Sequence, residues 1–114
     1  MDDAEKQLND KLNEYCEEDV YFLKAHWRAW IEEKQFELLE RKTGMNIQEV
    51  YGVLNPEKVK YIAKSKHYPE RYEICLKHSK RFETIVIAVF DQPSKGKLGI
   101  VTCYKRLLAE KLHF

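Results

Sequence analysis

The feature that most constrains this fold is a set of three strand-like runs in the second half of the chain, at residues 72–77, 84–90 and 98–104. In the first, Tyr72, Ile74 and Leu76 alternate with Glu73, Cys75 and Lys77, the pattern of a strand with one wet face. The second is apolar on both faces and belongs in the middle of a sheet. Breakers at Asp91, Pro93, Ser94 and Gly96 separate it from the third, implying a hairpin with a longish loop and an antiparallel meander. Val59, Tyr61 and Ile62 form a weaker apolar segment ahead of these, a ragged strand followed by a polar loop over 64–69.

Upstream the apolar period changes from two to 3.6. Leu8, Leu12 and Tyr15 mark a first helix over about residues 3–18, and Leu23, Trp27, Trp30, Ile31 and Leu38 mark a second that anchors the core. Lys42-Thr43-Gly44 ends that helix with glycine in the left-handed position, and Asn46 caps a short helix through about residue 54, where Asn55-Pro56 stops it. Leu108 and Leu112 place a short helix over the tail. Helices first and strands after predict an α+β fold, with N-terminal helices packed on a small antiparallel sheet of three to four strands. A chain of 114 residues supports one core, hence a single domain: an acidic helix over 1–19, a helical half over 20–57, a sheet half over 58–105 and a C-terminal helix over 106–114.

Apolar residues at 44% rule out wholesale disorder, because that much surface offsets the chain entropy lost on folding. No run approaches the roughly 18 apolar residues of a membrane span, and the N-terminus is acidic where a secretory signal is basic and then apolar. The expectation is a cytoplasmic protein with no membrane partner. Cys16, Cys75 and Cys103, odd in number and far apart, read as buried reduced thiols rather than a disulfide framework.

The formal charge of +1 hides an asymmetry. Residues 1–19 carry eight carboxylates against Lys6 and Lys11, whereas twelve Lys and Arg between 58 and 106 face only Glu70, Glu73, Glu83 and Asp91. Two readings stand side by side: the basic half binds phosphate, or its lysines solvate a sheet face and guard its edges. His26, His67, His78 and His113 never fall three or four apart from each other, and the single histidine–cysteine pair at that spacing, Cys75 and His78, has no second pair to complete a ligand set, so no zinc signature is present and no metal or cofactor is expected. Gly96 and Gly99 do not fit a phosphate-cradling loop. His26, one turn before Trp30, is either a proton-transfer group or an imidazole hydrogen-bonded at the core boundary.

The stretch Gly44-Met45-Asn46-Ile47-Gln48-Glu49-Val50, then Leu54-Asn55-Pro56-Glu57, then strands ending in Val101-Thr102-Cys103-Tyr104, resembles small RelE-like domains of the barnase, EndoU, colicin and RelE group of nuclease folds. The resemblance spans about residues 20–105, with His26, Val50 and Thr102-Cys103-Tyr104 in the family's places. Trp30 stands where such families often carry an arginine, and Arg28 is off register. The resemblance implies a metal-independent ribonuclease, of the kind that serves as the toxin of a toxin–antitoxin pair or as a phage-borne effector. RNA is then one partner, and an antitoxin or another protein a second.

Metal-free RNA cleavage needs a base for the ribose 2′-hydroxyl, an acid for the leaving 5′-oxygen and cations for the charge on the phosphorane. On the resemblance, His26 supplies base or acid, while Thr102 and Tyr104 aim two hydroxyls from one strand face. Lys77, Arg81 and Lys105 clamp the phosphate, with Arg71 and His78 as second choices. Thr102 and Tyr104 read equally as strand filler. The competing function is a non-catalytic RNA- or protein-binding module using the basic sheet with Trp27, Trp30, Tyr61, Tyr68 and Tyr72.

Overall fold

The computed structural model describes residues 3–15, 19–51, 55–90 and 98–108. Helices α1 (Asp3–Leu12), α2 (Ala25–Glu32), α3 (Phe36–Thr43) and α4 (Ile47–Tyr51) precede most of the sheet, which comprises β1 (Val20–Phe22), β2 (Val59–Lys64), β3 (Tyr72–Lys77), β4 (Phe82–Phe90) and β5 (Leu98–Leu107). The strand order is β1-β5-β4-β3-β2, so the doubly apolar β4 is central. The fold is α+β.

Two features of the predicted sheet are corrected. It has five strands among the described residues rather than three or four, and it is mixed rather than wholly antiparallel, because Val20, Tyr21 and Phe22 pair parallel with Leu98, Gly99 and Ile100. A three-residue strand has no periodicity of its own, and its partner lies at the far end of the chain. β5 also runs through Leu107, so residues 106 and 107 are strand where a helix was expected; residues 109–114 of that helix lie outside the described residues, as does the 91–97 turn.

The expected second helix is broken in two. Lys34 adopts φ 54, its N–H donates to Ile31 O at 3.3 Å, and the Gln35 N–H reaches back to Trp30 O at 2.8 Å. This is the paired bonding of a Schellman ending, with lysine in the place glycine usually takes. α1 likewise stops at Leu12, short of the expected 18, with 16–18 outside the described residues.

All four helices lie on one face of the sheet. Leu12, Tyr15, Phe22, Trp27, Leu39, Met45 and Val50 pack on Ile62, Ile74, Leu76, Val86, Ala88, Leu98, Ile100 and Cys103. The acidic α1 therefore docks through its apolar stripe, against β2. Trp27 stacks on Phe22 at 5.5 Å and meets Trp30 edge-on at 5.3 Å. Arg28 holds β1 to α2: its Nη1 donates to Tyr21 Oη, Phe22 O and Leu23 O at 3.0, 3.2 and 3.0 Å.

A bulge decides what the last strand presents. Ile87 pairs with Thr102 and Ala88 with Ile100, leaving Val101 as the extra residue. Side chains on either side of it therefore change phase, and Leu98, Ile100, Cys103 and Lys105 share the helical side while Thr102, Tyr104 and Arg106 share the other.

Candidate active-site cleft

The short connection after α3 builds one wall of a cleft. Gly44, at φ 74, closes α3 with its N–H on Glu40 O at 2.7 Å, and the Thr43 hydroxyl donates to Leu39 O at 2.8 Å. Asn46 and Glu49 then cap α4 reciprocally: the Glu49 N–H donates to Asn46 Oδ1 at 2.8 Å and the Asn46 N–H to Glu49 Oε1 at 3.3 Å. One carboxylate oxygen is thus fixed by backbone. The other, Oε2, meets His78 Nε2 and lies 3.9 Å from Lys105 Nζ.

The opposite wall comes from one end of the sheet. His78 follows β3 directly, in a turn closed by the Ser79 N–H on Phe82 O at 3.0 Å. Lys105 arrives from β5, opposite Thr84 of β4. Asn46, Gln48, Glu49, Lys58, Leu76, Lys77, His78 and Thr84 line a cleft of about 340 Å³. Glu49 and His78 are each about a quarter exposed, so both are open to a ligand yet partly screened from water.

Burial acts to raise the Glu49 carboxyl, but the hydrogen bond with His78, the Asn46 N–H and the charge of Lys105 outweigh it and hold the group below the usual carboxylate range. His78 Nδ1 is buried and has no hydrogen-bond partner among the described residues. The result is a carboxylate–imidazole pair joined through Nε2, with Lys58, Lys77 and Lys105 around it.

The expected site residues separate into three groups. Lys77 lines the cleft and Lys105 reaches it beside Glu49, together with His78, a second choice. Arg81 lies exposed at the same end of the sheet, in the turn before β4. Arg71 is at the opposite end, a strand length away, with its guanidinium 4.1 Å over the Tyr68 ring. His26, Thr102 and Tyr104 are not brought together. His26 is exposed on α2 with its ring edge-on to Trp30 at 5.0 Å, in the helical layer, whereas Thr102 and Tyr104 face away from the helices.

Thr102 and Tyr104 instead share their sheet face with a second polar cluster. Glu83, 6% exposed, accepts from Lys60 Nζ at 2.8 Å, from Arg106 Nε and Nη2 at 2.8 and 2.6 Å and from Cys75 Sγ at 3.2 Å. The Tyr61 hydroxyl donates to Glu73 at 2.6 Å and accepts from Arg106 at 3.3 Å. Lys60, against burial, and then Arg106 and Cys75 hold Glu83 down to about 2. Burial first, then the Glu73 bond, push Tyr61 up to about 12. This mutually satisfied network clasps β2 through β5 and leaves little basicity for chemistry. Burial also lifts the Cys75 and Cys103 thiols, to about 11 and 12, so neither is a ready nucleophile. Cys16 lies outside the described residues.

Among the described residues no His, Cys, Asp and Glu group converges as a metal site, and no helix is long and apolar enough to cross a membrane. No family model, curated protein or solved structure matches the chain.

Proposed function

We propose that this protein is a metal-independent endoribonuclease of RelE-like kind, cleaving RNA by attack of the ribose 2′-hydroxyl, with its chemistry at Glu49 and His78. The observation that carries this reading is the Glu49–His78 pair in a cleft edged by three lysines. A phosphodiester entering the cleft separates the pair, taking the Nε2 proton of His78 as its hydrogen-bond partner. Glu49, already favoured as carboxylate, removes the 2′-hydroxyl proton as O2′ bonds to phosphorus. The bond from phosphorus to O5′ breaks, and His78, acting as imidazolium with its second proton drawn from solvent, gives one proton to O5′ and becomes neutral imidazole, while Glu49 returns the 2′-hydroxyl proton to solvent, leaving a 2′,3′-cyclic phosphate and a free 5′-hydroxyl. Lys105 and Lys77 balance the charge that builds on the non-bridging oxygens.

The test is RNA digestion by purified protein in excess chelator, with the product ends identified. Cyclic phosphate ends are the expected result. Intact RNA in a protein that nonetheless binds it would overturn the enzyme and leave a binding module.

A further inference from the structure

Phe82 opens β4 beside the cleft, in a neighbouring hollow that shares Lys77 with it. It lies two residues from Thr84, which lines the cleft, so the two side chains share the helical face of the sheet. A phenylalanine in that position would be expected to pack inward, yet it is 37% exposed, and its cross-strand partner Leu107 is 44% exposed. Lys105 links this surface to the pair: its Nζ stands 5.7 Å from the Phe82 ring centroid and 3.9 Å from Glu49 Oε2. One cation is thus within reach of both an exposed aromatic face and the reacting carboxylate.

Resting on the ribonuclease reading, we infer that Phe82 is a stacking platform for the base of a nucleotide adjoining the scissile phosphate, with Leu107 flanking it, and that the substrate is therefore single-stranded RNA. Charge complementarity identifies the occupant. A phosphate held by Lys105 beside the dyad carries its sugar and base outward over the strand end, where the next surface is the ring of Phe82. A base in a duplex is already stacked on its neighbours and cannot lie on the ring, whereas an unpaired base can, whatever its identity. Discrimination between paired and unpaired RNA then comes from Phe82, while the lysines bind either form.

The experiment is an affinity measurement with a 2′-O-methyl tetranucleotide, which cannot be cleaved, and with a 2′-O-methyl duplex at the same salt concentration. Wild type is compared with Phe82→Leu, which keeps the apolar packing and removes the π-face, and with Phe82→Tyr. Stacking of one base predicts about tenfold weaker single-strand binding by Phe82→Leu, near wild-type binding by Phe82→Tyr and duplex binding unchanged in both. Equal single-strand affinity in wild type and Phe82→Leu, or equal losses for single strand and duplex, would overturn the platform. Because the probe is inert, a chain that cleaves nothing yet shows the Phe82 effect refutes the ribonuclease and keeps the platform. Cleavage with no Phe82 effect does the reverse.

Discussion

Replacing Glu83 by glutamine tests whether the outer face of the sheet is held by charge. The side chain is buried, and its carboxyl falls from an ordinary 4.5 to about 2 in the fold. At roughly 1.4 kcal/mol per unit the full shift corresponds to about 3 kcal/mol. The side chains of Lys60 and Arg106 are 43% and 41% exposed, so water screens both partners and the expected contribution drops to about 1–2 kcal/mol. A group whose pKa is lowered by folding stabilises the fold above its unfolded value and loses that contribution as pH falls through the folded one. The stability gap between wild type and Glu83→Gln is therefore complete at pH 7, begins to close below the unfolded value of 4.5 and is nearly gone at about 2. Urea unfolding at a series of pH values, with unchanged m, measures it. A gap that is absent at neutral pH, or that does not narrow with acid, would refute the charge-based account of this network.

Further expectations concern the cleft and its frame. His26→Ala leaves RNA cleavage within about twofold of wild type, since the imidazole contacts Trp30 rather than the cleft; a loss of more than a hundredfold in initial-rate assays would return His26 to the site. Cleavage should persist as pH falls through the ordinary carboxylate value of 4.5, because Glu49 stays ionised below it, and a pH profile of kcat/KM with its acid limb above that value would contradict the role of Lys105 and His78 in holding the charge. Lys77→Ala should lower the slope of log affinity against log salt by about 0.7 for single-stranded RNA, one phosphate contact, whatever the sequence. Gly44→Ala should cost about 1 kcal/mol in thermal unfolding through its φ of 74 alone, since the added Cβ would meet Lys105 Cε at an ordinary 3.7 Å.

The α+β layout was legible because period-two and period-3.6 patterns occupy different halves of the chain, and β4 announced its central place by being apolar on both faces. What escaped lacked a local signal. The helix break at Lys34 uses a left-handed residue that is not glycine, so nothing interrupts the apolar spacing from Leu23 to Leu38. β1 is too short to show alternation and exists through its parallel pairing with β5. The bulge at Val101 leaves Thr102 and Tyr104 on one face, as their spacing implied, but turns that face away from the helices and so from His26. The Asn46-x-x-Glu49 spacing did carry a capping-box signature that could have drawn attention to Glu49. Its pairing with His78, 29 residues on, is a property of the folded sheet end alone.

The most direct test of the proposed chemistry is a double-mutant cycle on the cleft pair, measuring kcat/KM for a short single-stranded RNA in chelator with Glu49→Gln, His78→Gln and the double variant. If the two groups act as one proton-transfer unit, each single change lowers kcat/KM by roughly a hundredfold or more, and the double variant falls little further. Single variants with near wild-type kcat/KM, or losses that multiply in the double variant as for independent sites, would contradict a shared Glu49–His78 site.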